Sequence, residues 1–192
     1  MLTSNINFKN FTINKNKNKI KFQNEKWFKK IKLLKSLQSN YEYSYSRKQL
    51  KKIRKNNNFR LIGMGGSTLG AEAIYQFLNH KVKKKFIFIN NLNPKLKNNE
   101  KNIKATNIII SKSGNTLETI ANSSLLINNS KNIFITENKI SYLNNLANTL
   151  KAEIIEHKNY IGGRYSVLSE VGMLPAEIMG LNEKKFKRLN YL

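Results

Sequence analysis

Ile108-Ile109-Ile110-Ser111-Lys112-Ser113-Gly114-Asn115-Thr116-Leu117-Glu118-Thr119 decides how the rest of the chain is read. Three consecutive isoleucines without polar alternation are the pattern of a strand buried on both faces. The strand runs into a turn that holds three hydroxyls, one ammonium and a glycine, and a helical pattern follows from about Thr116 to Ile127. A strand-to-helix turn of that make-up suits a phosphate monoester. Ser111, Ser113 and Thr116 can each donate one hydroxyl hydrogen bond to a phosphate oxygen. Lys112 adds a compact positive charge, and Gly114 lets the loop curl around a ligand. Asn115 and Glu118 have the N-cap and N3 spacing of a capping box and are read as fixing the helix start. Ordinary turn and capping duty is the competing reading of the hydroxyls.

Strands and helices alternate on either side of this stretch. Phe59 to Ile62 reads as a strand, Thr68 to Asn79 as a helix and Phe86 to Ile89 as a second strand. After a polar loop through Pro94, Thr106 to Ile110 is the third strand. Ile133 to Thr136 and Glu153 to Ile155 are the fourth and fifth, with a helix from Ile140 to Leu150 between them. A final helix is expected from Ser166 to Met179. Continuous apolar strands alternating with helices predict an α/β fold: a mostly parallel five-stranded sheet covered on both faces, a three-layer αβα sandwich. Residues 1–57 read as an N-terminal helical or irregular segment. In it Asn24 is a candidate cap, Trp27, Phe28, Ile31, Leu34 and Leu37 form an apolar stripe, and a short helix is expected around Gln49 to Ile53. The boundary falls at Lys55-Asn56-Asn57-Asn58, and 58–192 is read as one domain.

The formal net charge is +24. The chain holds 30 Lys against 5 Arg, with 31 Asn, 22 Ile and no Asp. Lys, Asn and Ile share A/T-only codons, so compositional drift accounts for all three together. Arginine, the usual reader of base edges, is scarce, and a nucleic-acid partner is disfavoured. The charge still helps to attract anionic metabolites. No apolar run approaches the roughly 20 residues that span a bilayer, and the N-terminus lacks the pattern of a signal peptide. The absence of cysteine excludes disulfides, thiolate nucleophiles and Cys-ligated zinc, and fits a cytoplasmic protein.

Two further turns stand where strands end. Gly63-Met64-Gly65-Gly66-Ser67 follows the first strand, and its glycines allow close approach of backbone to ligand. Ser67 opens a helix whose free N–H groups favour an anion. The spacing matches neither a dinucleotide fingerprint nor a P-loop, which disfavours nicotinamide cofactors and nucleotides. Ile161-Gly162-Gly163-Arg164-Tyr165-Ser166 is the third turn. Arg164 there could stabilise charge developing on a substrate oxygen, or form a surface ion pair. His80 and His157 are read as incidental surface or loop residues, too far apart to suggest a metal site. Glu170 and Glu177, at helical spacing, are not nominated as a catalytic base.

In order and spacing the three turns, with Gly172-Met173-Leu174-Pro175-Ala176 after the last, resemble the glucose-6-phosphate isomerase (phosphoglucose isomerase) family over about residues 58–190. The resemblance implies a flavodoxin-like sugar-isomerase (SIS) domain, the first of two. It implies reversible aldose–ketose isomerisation of glucose 6-phosphate to fructose 6-phosphate, in glycolysis and gluconeogenesis, with neither metal nor organic cofactor, in a homodimer. By the resemblance Ser111, Lys112, Ser113 and Thr116 hold the phosphate, Gly66 and Ser67 lie near the sugar, and Arg164 stabilises the enediolate. The family's base glutamate, its ring-opening histidine and a further lysine lie downstream of the Gly-Gly-Arg turn, beyond Leu192. The histidine reaches the site from the neighbouring subunit. The expectation is a chain that binds sugar phosphate weakly and does not turn it over alone. A non-catalytic SIS module that senses a phosphosugar is the alternative. Such a module would have no use for Gly162-Gly163-Arg164-Tyr165-Ser166.

Overall fold

Five strands form one sheet in the computed structural model, which describes residues 31–38, 40–92, 104–127 and 131–187. The strands are β1 (Asn58–Gly63), β2 (Lys85–Ile89), β3 (Thr106–Ile110), β4 (Asn132–Thr136) and β5 (Glu153–Glu156). Every pairing is parallel, and the spatial order is β2-β1-β3-β4-β5. This is the doubly wound flavodoxin-like order. Its strand sequence reverses between β1 and β3, which opens a crevice beyond their carboxyl ends.

Side-chain alternation sends each strand's apolar residues to two cores. On one face Phe59, Leu61, Ile108, Ile110, Ile133, Ile135 and Ile155 meet three helices: α1 (Arg47–Ile53), α2 (Leu69–Leu78) and α5 (Glu170–Ile178). On the other, Ile62, Ile109 and Phe134 meet α3 (Leu117–Leu126) and α4 (Tyr142–Thr149). The three-layer sandwich expected from the sequence is therefore present. A last short helix, α6, spans Glu183–Phe186.

Strand limits follow the expected runs to within a residue, and buried Arg60 and Asn107 inside them bond to each other at 3.2 Å. Two elements depart from the sequence reading. The final helix begins at Glu170 rather than Ser166. Gly163–Tyr165 forms a separate 3-10 turn, and Ser169 caps the helix by accepting from the Val171 N–H. Of the apolar stripe expected after Asn24, Trp27 and Phe28 lie outside the described residues. Its described end, Lys32–Leu37, is a 3-10 helix.

The segment before β1 is packed into the first core through Tyr45, Leu50 and Ile53. Ser46 and Gln49 close a full capping box at the start of α1. All nine residues of α5 are buried, since this segment covers the side of the helix that faces away from the sheet. Glu170 and Glu177 sit two turns apart on that side. The Tyr41 hydroxyl donates to both oxygens of Glu170 at 2.9 and 3.0 Å, and Tyr45 donates to Glu177 at 2.7 Å. Arg47 pairs with Glu177 and, at 3.3 Å, with Glu183. Burial, then the neighbouring carboxylates, push both tyrosine pKa values far above the ordinary range.

Candidate functional site

The carboxyl ends of β1 and β3 lie side by side, with Gly63 in register with Ile110. The turn after β3 carries the hydroxyls. Ser111 Oγ lies 2.9 Å from Thr116 Oγ1 and 3.5 Å from Ser113 Oγ, and Ser113 Oγ lies 3.4 Å from Thr116 Oγ1. Backbone N–H groups already occupy acceptor positions in this triangle: Gly114 N–H donates to Ser111 Oγ and Asn115 N–H to Ser113 Oγ, each at 3.2 Å. The hydroxyl protons are thereby left to be shared among the three oxygens or given to an outside acceptor. Thr116 is the N-cap of α3, yet no side chain caps that helix end. Its leading N–H groups and dipole add to the attraction for an anion.

Gly114 holds this geometry. Its φ is +69°, a left-handed turn that other residues adopt at a cost. A Cβ there would fall 2.1 Å from Ser141 Oγ. The sequence reading made Asn115 and Glu118 a capping box, and the structure corrects it. Asn115 Oδ1 instead accepts the Tyr142 N–H at 2.9 Å, and the Gly114 carbonyl accepts the Leu143 N–H at 3.0 Å. The turn thus satisfies two leading N–H groups of α4, and the reversal at Gly114 aims Asn115 at that helix rather than its own.

Lys112 is engaged elsewhere than the triangle. Its ammonium donates to the Asn159 carbonyl at 2.8 Å and pairs with Glu137 at 3.4 Å. Glu137 also pairs with Lys139 at 2.5 Å. Burial acts to raise the Glu137 pKa, but Lys139 and Lys112 outweigh it and hold the carboxyl below its ordinary value. The sequence reading assigned no part to Glu137. Its position one residue past β4, level with the turn after β3, was the available signal.

The first and third turns are welded together. A Cβ on Gly66 would lie 2.1 Å from the Gly163 carbonyl oxygen, so only glycine lets the two backbones touch. Ser166 Oγ faces both the Gly163 carbonyl, at 2.7 Å, and the Gly66 carbonyl, at 3.3 Å. Ser166, expected to open the final helix, instead bridges the two turns. Ser67 is half-buried and its hydroxyl has no partner among the described residues. Arg164 is exposed and likewise has no hydrogen bond or ion pair among them.

His157 corrects another expectation. It follows β5 and is only 1 % exposed, with Nδ1 3.2 Å from the Lys158 carbonyl oxygen. Burial lowers its pKa below the ordinary 6.5. His80 is exposed in the turn after α2. No group of three or more His, Cys, Asp or Glu that could hold a metal occurs among the described residues. None of their helices is long and apolar enough to cross a membrane.

Comparison with known proteins bears directly on this arrangement. The phosphoglucose isomerase family model matches residues 13–189. The chain belongs to the phosphoglucose isomerase family. It is 39% identical over 141 residues to the glucose-6-phosphate isomerase of Borreliella afzelii, covering 63% of this chain and 26% of that protein. It is 33% identical over 156 residues to the glucose-6-phosphate isomerase of Methanocaldococcus jannaschii, covering 74% and 38%. The chain therefore spans about a quarter to two fifths of the length of these phosphoglucose isomerase relatives. Among solved structures, a hypothetical protein of Thermus thermophilus aligns over 81% of this chain and 41% of its own, with TM-score 0.61 and 23% identity. Tagatose-6-phosphate ketose/aldose isomerase of Escherichia coli aligns over 84% and 46%, with TM-score 0.56 and 16% identity. These likenesses agree with the fold.

Proposed function

We propose that the chain supplies the phosphate-holding part of a glucose-6-phosphate isomerase site. In this reading residues 58–192 form the first of two SIS domains, and the complete enzyme interconverts glucose 6-phosphate and fructose 6-phosphate as a cytoplasmic homodimer. The observation that carries the proposal is the hydroxyl triangle of Ser111, Ser113 and Thr116, held at 2.9–3.5 Å by backbone N–H donors at the crevice between β1 and β3. Three rotatable O–H donors and an uncapped helix end match the three terminal oxygens of a phosphate monoester.

The other residues take roles consistent with their surroundings. The Ser67 hydroxyl and the Arg164 guanidinium, both without partners among the described residues, would meet the sugar and the charge that develops on its oxygen during enolisation. Gly66 lets their two turns close on each other. Lys112, tied to Glu137 and Asn159, would contribute field rather than a direct contact unless ligand draws it away. Arg164 separates this reading from a module that only senses a phosphosugar, which needs no cation at the reacting carbons. Proton transfer requires a base within reach of the substrate, and no residue here matches the family's glutamate, so these 192 residues alone are expected to bind without turning over.

Calorimetric titration tests the proposal. Glucose 6-phosphate should bind the chain and glucose should not. Ser113→Ala should weaken binding roughly tenfold to a hundredfold, the worth of one hydrogen bond to a charged acceptor. Equal affinity for glucose and glucose 6-phosphate would refute the assignment.

A further inference from the structure

The amino ends of the same strands, at the pole opposite the three turns, carry a different chemistry. Two neighbouring clefts of about 510 and 320 Å³ lie there and share Lys131. The first is lined in part by Lys52, Lys151 and Glu153, the second by Lys55, Lys104 and the asparagines that lead into β1. Five of the fourteen lining residues are lysine and one is a carboxylate. Lysine makes up 30 of the chain's 192 residues, so the lining holds more than twice the share that composition alone would give it.

These lysines are held near one another by the fold. The Lys131 carbonyl accepts the Asn107 N–H at 2.9 Å, and the Asn107 amide donates to Asn132 Oδ1 at 2.8 Å, which fixes the start of β4 against β3. The Asn56 amide donates to Thr106 Oγ1 at 2.6 Å and anchors the other wall. Burial lowers the Lys131 pKa, Glu153 works against that, and Lys52 adds to it. Glu153 offsets one of the five lysine charges and leaves the lining net positive, which favours an anionic ligand.

We propose that this pole binds a short oligophosphate, as a free chain or as the tail of a nucleotide. A linear polyanion can meet lysines in both clefts at once, whereas a single phosphate meets only one. The exposed Asn57 adds an amide donor suited to phosphate oxygens. The site is separate from the sugar-phosphate crevice and does not depend on the reading of that crevice.

Titration of the full chain with inorganic tripolyphosphate, ATP and orthophosphate provides the test. Tripolyphosphate is expected to bind, more weakly as salt rises, and to exceed orthophosphate clearly. Lys52→Met, an exposed change on α1, and Lys131→Met should each lower its affinity severalfold, and together about tenfold or more. Circular dichroism checks that both variants fold. Lys139→Met, which removes an exposed lysine at the opposite pole, should leave tripolyphosphate binding unchanged. ATP binding more tightly than tripolyphosphate assigns the nucleotide as source, and the reverse order assigns the free chain. Absence of binding at millimolar tripolyphosphate, indifference to both lysine changes, or an equal loss in Lys139→Met would overturn the proposal. So would tighter binding of duplex RNA than of tripolyphosphate at equal phosphate concentration, since that marks an extended surface rather than a small-ligand cleft.

Discussion

Tyr41 and Ser44 hold the buried Glu170 carboxylate, whereas Ser111, Ser113 and Thr116 bond chiefly to one another. Both clusters are built from hydroxyls brought together by the fold. Glu170 is fully buried and accepts from the Tyr41 hydroxyl, the Ser44 N–H and the Ser44 hydroxyl at 2.9–3.2 Å. These donors converge on it in the interior, and the cluster closes the outer side of α5. The triangle after β3 has its acceptor positions partly filled by backbone N–H groups, and Ser113 is exposed. Its protons are exchangeable for a better acceptor. A closed polar network stabilises the fold, while an open one of similar make-up is available to a ligand.

Removing a partner from each cluster exposes that difference. Glu170→Ala strands the Tyr41 hydroxyl and the Ser44 N–H in the interior and leaves a cavity. It should destabilise the chain by about 3 kcal/mol, the sum expected for buried donors left without an acceptor, with glucose 6-phosphate affinity changed little once the protein is folded. Urea unfolding gives the first quantity and titration the second. In the triangle the order reverses: Ser113→Ala should alter stability by less than about 0.5 kcal/mol while weakening the ligand. If Glu170→Ala costs less stability than Ser113→Ala, the two clusters do not differ in the way described.

A second perturbation acts on the link between turns. Gly66→Ala forces a methyl group against the Gly163 carbonyl, where 2.1 Å separates the two positions. Backbone must yield, at about 1–3 kcal/mol for overpacking. The displaced partner is the Arg164 turn, so in a complete enzyme the catalytic rate should fall by more than phosphate affinity does. Steady-state kinetics would show it as a lower kcat with a modest change in KM. Stability within about 0.5 kcal/mol of the parent would mean that the turns are not welded there.

The legibility of these regions in the sequence differs for a physical reason. The strands and the Ser111–Thr116 turn are local: an uninterrupted run such as Ile108-Ile109-Ile110 fixes a strand, and the hydroxyls that meet are at most five residues apart. The Tyr41–Glu170 and Tyr45–Glu177 pairs join positions 129 and 132 residues apart, and nothing at either end announces the other. Asn115 fails in the same way. Its spacing to Glu118 satisfied a local rule, but Tyr142, 27 residues on, won its side chain. The start of α5 was misplaced because Ser166, a plausible cap by type, is spent on joining two turns, which leaves the cap to Ser169. Buried His157 could not be told from a loop histidine, since its burial comes from the chain folded over it.

His157 offers the smallest and most diagnostic effect, because it feels a charge next to each cluster, Glu170 on one side and Lys112 on the other. Burial lowers its pKa most, its bond to the Lys158 carbonyl and the Glu170 charge raise it, and Lys112 lowers it again. With the folded value below 6.5, the unfolded chain binds the proton more readily. The neutral imidazole's contribution is therefore fully present above pH 6.5 and is lost as pH falls through the window below it. Urea midpoints between pH 7.5 and pH 5 should decline more for the parent than for His157→Gln. The pair of variants separates the clusters. Lys112→Met, which removes a repelling charge on the ligand side, should raise the His157 pKa. Glu170→Gln, which removes an attracting charge on the structural side, should lower it. Proton NMR titration of the imidazole reads both shifts, and shifts of the same sign would show that His157 does not lie between the two fields.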